Sequence, residues 1–394
     1  MTKIDTNTFF TDELALIEEK GLTRTLRAFD LINKEQDNTD DINILNMSSN
    51  DYLNLSTRID LKSASITAVE GFGCGATASR LVSGNLSIHN QLEKELAKLV
   101  GNETSLVFGS GFLANIGVLN AIAGRNDLIF ADKLNHASLI DGMLLSGAKC
   151  QRYRHNDMLH LEKLLKKSSC SGHKIIVSDS LFSMDGDIAP LNELIELAEK
   201  YNAILIIDEA HAVGVFGQGG GLCKELGLNG KPDIILGTLS KALGGYGGFA
   251  VCSEVIKKFL INRARSFIYS TGLPPACIGS ALEAIKLISA DFDLGRSLLT
   301  KSRKFHTYLV ELGFNMPGFE SQILPIHVGD NNKAVKLSQL LLDRYGILGS
   351  AIRPPTVPVG TARLRLTVTL AHSDEELKRV ADSIKKCSDE LGII

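Results

Sequence analysis

From residue 90 onward, short apolar runs and amphipathic stretches take turns along the chain. "TSLVF" at 104–108, "DLIFAD" at 127–132, "KIIVSD" at 174–179, "AILIIDE" at 203–209 and "DIILGTL" at 233–239 are compact apolar segments that end in polar or small residues. Strands buried on both faces look like this, because neither face requires a polar residue at every second position. Between them lie helical patterns. "HNQLEKELAKLV" places Leu92, Leu96 and Leu99 along one face, and "FLANIGVLNAIA" and "PLNELIELAEKYN" keep the same period. Alternation of this kind predicts βαβ units and a mainly parallel sheet. Ligands of such sheets sit beyond the carboxyl ends of the strands, which directs attention to residues 110–112, 178–185, 208–211 and 238–241.

Beyond about residue 280 the pattern becomes "ALEAIKLIS", "RSLLTKSRKFHTYLVEL", the extended "SQILPIHVG" and a last helix "DEELKRVADSIKKCSDEL". This predicts a smaller C-terminal α/β lobe over 281–394, a large domain over 46–280 and a helical, charged N-terminal arm over 1–45. A length of 394 residues with 44% hydrophobic content accommodates such a division, since single cores rarely grow past about 250–300 residues. The formal net charge of -3 and mixed charge distribution favour a small-molecule partner over nucleic acid or a membrane surface. The longest apolar runs are far shorter than a bilayer span, and the start "MTKIDTNTFFTDEL" lacks a secretory apolar block, so a cytoplasmic protein is expected. Seven cysteines without a C-x-x-C pair are expected to be reduced and mostly buried. No His or Cys pair has zinc-ligand spacing, and "HNDMLH" at 155–160 reads as a solvated helix start.

Chemistry concentrates at three strand ends. Asp208 closes the apolar run 204–207 and is followed by "EAHAVG"; a carboxylate there is costly unless a cation or donor meets it. Taken singly, Asp208 reads equally as a helix cap or ion pair, and His211 as a satisfied histidine in a cleft wall. Lys241, at the end of the next strand in "GTLSKALGGYGG", changes that balance. A lysine among glycines, an acid and a histidine form the set that pyridoxal phosphate needs: an amine for its aldehyde, an acid for its ring nitrogen and a donor for its phenolic oxygen. A desolvated lysine in such a pocket has a lowered pKa. "GSGFLAN" follows a strand and opens a helix, so the N–H groups of Ser110, Gly111 and Phe112 would face an anion; an ordinary turn is the competing reading. Thr238 adds a hydroxyl nearby. His136, at the start of another helix, reads as a cap or packing residue unless it lies against the cofactor ring. The glycine-rich "GFGCGA" at Gly71 lacks the context of a dinucleotide fingerprint and reads as a loop.

Taken together, "SSNDYLNL" at Ser48, "SRLVSGNLSIHNQLEKELA" at Ser79, "FGSGFLANIGVL" at Phe108, "DKLNHASLIDG" at Asp132, "DSLFSMDGDIAPL" at Asp179, "IIDEAHAVGVFG" at Ile206, "TLSKALGGYGG" at Thr238 and "YSTGLPP" at Tyr269 resemble, in order, the blocks of the α-oxoamine synthases. These are pyridoxal-phosphate-dependent acyltransferases of aspartate-aminotransferase type (fold type I). The resemblance implies that Lys241 bonds the cofactor aldehyde, Asp208 faces the ring nitrogen, His211 and Ser183 lie near the phenolic oxygen and His136 stacks on the ring. Gly111, Phe112 and Thr238 would hold the phosphate, and Thr271 would reach the phosphate of the neighbouring subunit in a homodimer with shared active sites. Arg365 and Asn50 match the positions that hold the substrate carboxylate, and Arg24 and Thr356 are further candidates for substrate contact. "AIRPPTVPVGTARLRLTVTLAH" from Ala351 is similar to the biotin-pathway branch, which implies L-alanine and pimeloyl-CoA or pimeloyl-acyl carrier protein as substrates. Glycine with acetyl-CoA or succinyl-CoA is the alternative within the family, and a catalytically silent cofactor-fold protein the alternative outside enzymes. Asn54 and Ala78 stand where glycine is common in these blocks.

Overall fold

The computed structural model describes residues 6–19, 22–24, 26, 28 and 44–394. They fall into two compact units, 1–43 and 44–394. The described part of the first contains one exposed helix, Thr6–Glu19. All further description concerns the second.

Its strands are β1 (Leu45–Asn46), β2 (Thr104–Phe108), β3 (Leu128–Asp132), β4 (Lys149–Tyr153), β5 (Lys174–Asp179), β6 (Ala203–Asp208), β7 (Ile234–Thr238), β8 (Gly248–Cys252), β9 (Ile323–Gly329), β10 (Ile347–Leu348), β11 (Ser350–Ile352) and β12 (Ala362–Thr367). Seven of them form one sheet in the order β2-β8-β7-β6-β5-β3-β4. β8 runs antiparallel to both its neighbours, and the other pairings are parallel. The expected mainly parallel sheet is present, with two members that the apolar pattern did not announce. β4, "KCQRY", is an edge strand with a mostly exposed or half-buried face. β8 follows the glycine-rich turn after Lys241 and is fully buried.

Both faces of this sheet are covered. Leu106, Ile129, Ile175, Val177, Ile206 and Leu236 belong to one apolar cluster with Val118, Leu139 and Leu260 from the helices Gly111–Ile122, Ala137–Ser146 and Glu254–Arg263. Their neighbours in sequence, Val107, Phe130, Ile176, Leu205, Ile207 and Ile235, point the other way into the larger cluster. The period of two along a strand therefore separates two cores instead of a core and solvent.

A second, antiparallel sheet, β11-β12-β9, lies towards the C-terminus with the helices Leu294–Glu311, Asn331–Tyr345 and Asp374–Glu390. The last helix starts with a capping box between Ser373 and Glu376 and carries Asp374, Glu375 and Glu376 in its first turn, where the helix dipole favours negative charge. Segment 45–52 lies against β12: the N–H of Thr367 donates to the Met47 carbonyl at 2.7 Å, and the N–H of Leu370 donates to the Tyr52 carbonyl at 2.9 Å. The expected domain boundary at 280 falls within the helix Pro275–Ala290.

Two sequence readings change in detail. His155 does not begin a solvated helix; it bridges Asp132 and Asp187, with Nδ1 2.9 Å from one carboxylate and Nε2 2.7 Å from the other. Asp157 caps the helix that follows. Of the seven cysteines, all unpaired, Cys223, Cys252 and Cys387 are buried and Cys74 is exposed. Asn54 sits at φ 53°, in the left-handed region that asparagine tolerates better than most residues. That backbone demand accounts for a position where glycine is common.

Candidate active site

β5, β6 and β7 end side by side, and their last residues form the floor of the site. Asp179 and Asp208 are register partners at the carboxyl ends of β5 and β6. Thr238 closes β7, and Lys241 follows in a turn whose tightness depends on glycine. Gly244 adopts φ 64°, and a Cβ there would stand 2.6 Å from the backbone nitrogen of Ser56. The turn is thus pressed against segment 55–56.

Lys241 Nζ lies 2.8 Å from His211 Nε2, and His211 Nδ1 lies 2.6 Å from the Tyr52 hydroxyl. The same hydroxyl is 3.2 Å from Asn50 Oδ1. Burial brings the Lys241 amine down to about 8; Asp208 and Asp179 resist this, while Arg365 adds to it. Burial, followed by the positive charges of Lys241 and Arg365, holds His211 well below the usual imidazole range. Tyr52 is pushed up to about 12, again mainly by burial, so its hydroxyl keeps its proton.

Asp208 is anchored at both oxygens. Asn115 Nδ2 donates to Oδ2 at 2.6 Å and the N–H of Ala210 donates to Oδ1 at 2.9 Å. Asn115 Nδ2 also donates to Ser138 Oγ at 2.8 Å, and Ser138 Oγ lies 2.7 Å from His136 Nδ1. His136 is the N-cap of the helix Ala137–Ser146, with Nδ1 accepting from the N–H of Ser138 at 3.2 Å. Its own N–H donates to Asp179 Oδ2 at 2.8 Å. Burial and the adjacent Asp208 hold Asp179 well above the usual carboxylate range. The capping role and a place beside Lys241 and Asp208 therefore coincide in His136, whose pKa is lowered chiefly by burial.

The helix Gly111–Ile122 begins next to Thr238. Ser110 is its N-cap, accepting from the N–H of Leu113 at 3.2 Å. The first N–H groups of a helix have no partner within it, so those of Gly111 and Phe112 can serve an anion. A Cβ on Gly111 would come within 3.1 Å of Thr238 Cβ and 3.3 Å of its Oγ1, and one on Gly248 would collide with the Ser110 carbonyl. Thr238 Oγ1 is 2.7 Å from Ser240 Oγ and donates to the Gly247 carbonyl at 2.9 Å. A cradle that an added carbon would fill, beside a helix N-terminus and hydroxyls, suits a phosphate.

On the other side, β12 presents Arg363 and Arg365 from the same face. Arg365 Nε donates to the Ser183 carbonyl at 2.5 Å and Nη2 donates to Asn50 Oδ1 at 3.2 Å. Arg363 pairs with Asp185. Ser183 thus meets Arg365 through its backbone. Phe112, Thr271 and Thr356 are exposed; Thr271 forms an isolated bridge with Ser79, and Thr356 donates its N–H to the Arg353 carbonyl at 3.1 Å. Arg24 belongs to the N-terminal unit and is exposed there. The structure therefore gathers Lys241, His211, Asp208 and His136 into one neighbourhood, with Arg365 and Asn50 hydrogen-bonded to each other.

Sequence reasoning did not single out Tyr52, Asn115, Ser138, Asp179 or Gln322, whose Nε2 donates to the His211 carbonyl at 2.9 Å. Asp179 carried a readable sign, since it ends an apolar strand as Asp208 does. Asn115 did too, as a polar residue inside the apolar "GFLANIGVL" helix, and it is 4% exposed.

Among the described residues, no group of three or more His, Cys, Asp or Glu side chains is arranged to hold a metal ion. The family model "aminotransferase class I and II" matches residues 42–384. The chain is 46% identical over 98% of its length to an 8-amino-7-oxononanoate synthase of Geotalea daltonii, of which it covers 98%, and 44% identical over 98% of its length to one of Lysinibacillus sphaericus, covered completely. A serine palmitoyltransferase from S. paucimobilis, solved with a PLP-myriocin adduct, superposes with a TM-score of 0.91 at 28% identity over 99% of this chain and 100% of that one. The 8-amino-7-oxononanoate synthase of Francisella tularensis gives 0.77 at 30% identity over 88% of this chain and 98% of that one. A lysine, an acid, two histidines and an anion cradle at the ends of a mainly parallel sheet, joined to likeness along the full length, lead to one conclusion: the chain belongs to the aminotransferase class I and II family and, within it, to the 8-amino-7-oxononanoate synthases, pyridoxal-phosphate-dependent α-oxoamine synthases of biotin biosynthesis.

Proposed function

We propose that this chain condenses L-alanine with a pimeloyl thioester, carried on CoA or on an acyl carrier protein, to give 8-amino-7-oxononanoate, carbon dioxide and the free thiol. The observation that carries the reading is the buried amine of Lys241, lowered to about 8 and held 2.8 Å from His211 within electrostatic reach of Asp208, Asp179 and Arg365. Bound pyridoxal phosphate supplies an electron sink for the α-carbon of the amino acid. Lys241 would bond its aldehyde and, once displaced by substrate, take the α-proton at Nζ. Asp208 would hold the proton on the pyridine nitrogen, its own two oxygens fixed by Asn115 and Ala210. His211 and Ser183 would lie near the phenolic oxygen, and His136 against the ring face. The N–H groups of Gly111 and Phe112 would hold the phosphate with Thr238, and Thr271 would serve the neighbouring subunit's phosphate in a homodimer.

Arg365 would bind the substrate carboxylate together with Asn50. A guanidinium forms paired hydrogen bonds to both oxygens of a planar carboxylate, and this one is steadied beforehand by the Ser183 carbonyl and Asn50. Holding the carboxylate sets which α-carbon bond lines up for cleavage. Arg24 and Thr356 complete the proposed substrate contacts. The proposed organisation is an arm over 1–45, a cofactor domain over 46–280 and a small domain over 281–394, in a cytoplasmic enzyme. No helix among the described residues is long and apolar enough to cross a membrane.

The test is carbon dioxide release from labelled alanine and glycine against pimeloyl, acetyl and succinyl thioesters. Alanine with the pimeloyl donor is expected to turn over fastest. A strong preference for glycine, or no turnover with any donor in cofactor-loaded protein, overturns the reading.

A further inference from the structure

The polar chain from Asp208 to His136 has a direction that its hydrogens dictate. Asn115 Nδ2 carries two hydrogens and meets two acceptors, Asp208 Oδ2 at 2.6 Å and Ser138 Oγ at 2.8 Å. Ser138 Oγ therefore accepts from Asn115 and has one hydrogen left. The neighbour in line for it is His136 Nδ1 at 2.7 Å. The backbone N–H of Ser138 points at the same ring nitrogen from 3.2 Å. Two donors converge on Nδ1, so that atom must offer a lone pair. A hydrogen on Nδ1 would face the N–H of Ser138 and would leave the Ser138 hydroxyl hydrogen without its acceptor. Asn115 and Ser138 are 4% and 1% exposed, which leaves little water to repair such a conflict.

We infer that Asn115 and Ser138 are positioning residues that lock His136 as the neutral imidazole with its proton on Nε2, and that the same amide fixes the carboxylate of Asp208. One side chain from the helix Gly111–Ile122 thus sets the orientation of the acid and, through one hydroxyl, the tautomer of the histidine. The value of the lock rests on the proposed function: an uncharged imidazole can lie against a protonated pyridine ring without like-charge repulsion, and its Nε2–H remains available as a donor. The charged and titratable groups around His136 are Asp141 on its own helix, Asp179 on β5, Asp208 on β6, His211 just after β6 and Lys241 after β7. Asp208 and Asp141 favour a second proton on the ring, and burial and Lys241 oppose it. The relay adds a hydrogen-bonding reason for refusal.

The experiment uses the full chain with 15N-labelled histidine, prepared without cofactor, and reads the ring nitrogens by long-range proton–nitrogen correlation. His136 among the nine histidines is assigned by the signal lost in His136→Gln. The wild-type ring is expected to show a pyridine-like Nδ1 and a pyrrole-like Nε2 throughout pH 6–8. In Ser138→Ala and in Asn115→Ala the ring is expected to populate both tautomers and to protonate at higher pH, whereas Ser138→Thr, which keeps the hydroxyl, restores the wild-type pattern. In cofactor-loaded protein Ser138→Ala is expected to lower kcat by about three- to tenfold, the scale of one hydrogen bond, with the KM for the amino acid within about twofold. A wild-type ring protonated on Nδ1, or an unchanged tautomer ratio in both alanine variants, overturns the inference. The wild-type spectrum decides even if a variant fails to fold. Because the spectra are taken without cofactor, they stand apart from the proposed reaction: a protein that never turns over alanine can still show the lock, and an active one can lack it.

Discussion

An amine lowered to about 8 stands 2.8 Å from an imidazole held well below its usual range, so near neutrality the proton between them rests on the lysine. The lysine keeps it below about pH 8 and surrenders it above. The neutral amine is the form that attacks an aldehyde, so capture of pyridoxal phosphate by cofactor-free protein should accelerate through about pH 8 and then level off. Stopped-flow absorbance measures this, and a midpoint near that of an ordinary lysine would count against a desolvated amine. Arg365 offers a second check. Arg365→Lys keeps the charge but cannot reproduce the two anchored donors toward the Ser183 carbonyl and Asn50, so the KM for alanine is expected to rise about tenfold or more while thermal stability changes little. Lys241, Asp208 and His211 were legible in the sequence because each stands at or just after the end of an apolar strand. Asn115 stood out only as a polar residue in an apolar helix and Tyr52 not at all, because their roles depend on partners 93 and 159 residues away, and no local spacing encodes those meetings.

At the scale of elements, periodicity found the strands whose two faces are both apolar and missed those shaped by their neighbours. β4 is polar because it is an edge, and β8 is hidden behind a turn whose glycines mask its start. The loop after β4 was misread for a related reason: "HNDMLH" is polar, yet His155 is drawn inward between Asp132 and Asp187, with its ring edge-on to Phe182 at 4.4 Å between centroids. Burial works against a charge on His155, but the hydrogen bonds and charges of the two carboxylates prevail and raise it to about 10. A pKa raised in the folded state stabilises fully below the unfolded value of about 6.5 and loses its effect as pH climbs through about 10. His155→Gln should therefore destabilise the protein in urea at pH 6–7, and the gap to wild type should narrow by pH 10. A constant gap would mean that packing, not charge, joins these elements. Gly186, in the loop after β5, adopts φ 72°, and a Cβ there would stand 2.2 Å from the Ile323 carbonyl. Gly186→Ala is expected to cost about 2 kcal/mol or more in stability, read by denaturant titration, from backbone strain and collision together.

For the molecule beyond its first 43 residues, stability rests on a sheet with apolar residues packed on both sides, so single truncations at its centre should be felt throughout. Phe249 is fully buried on β8, and its ring occupies the space that a side chain at Gly237 would need. Phe249→Ala is expected to lose about 3–5 kcal/mol, measured by chemical denaturation, from lost burial and the void left behind. The alternation of strands and helices made this architecture readable in advance. The antiparallel C-terminal sheet was legible only as "SQILPIHVG", because β11 and β12 are brief or carry arginines whose purpose appears only once loop 183–185 is beside them. Those two arginines clasp that loop at neighbouring points, one through an ion pair with Asp185 and one through the carbonyl of Ser183. On the proposed function, a clasp of this kind would make the carboxylate receptor part of the resting architecture: the incoming amino acid would meet a fork already aimed, and the work of selecting it would be done by rigidity laid down during folding.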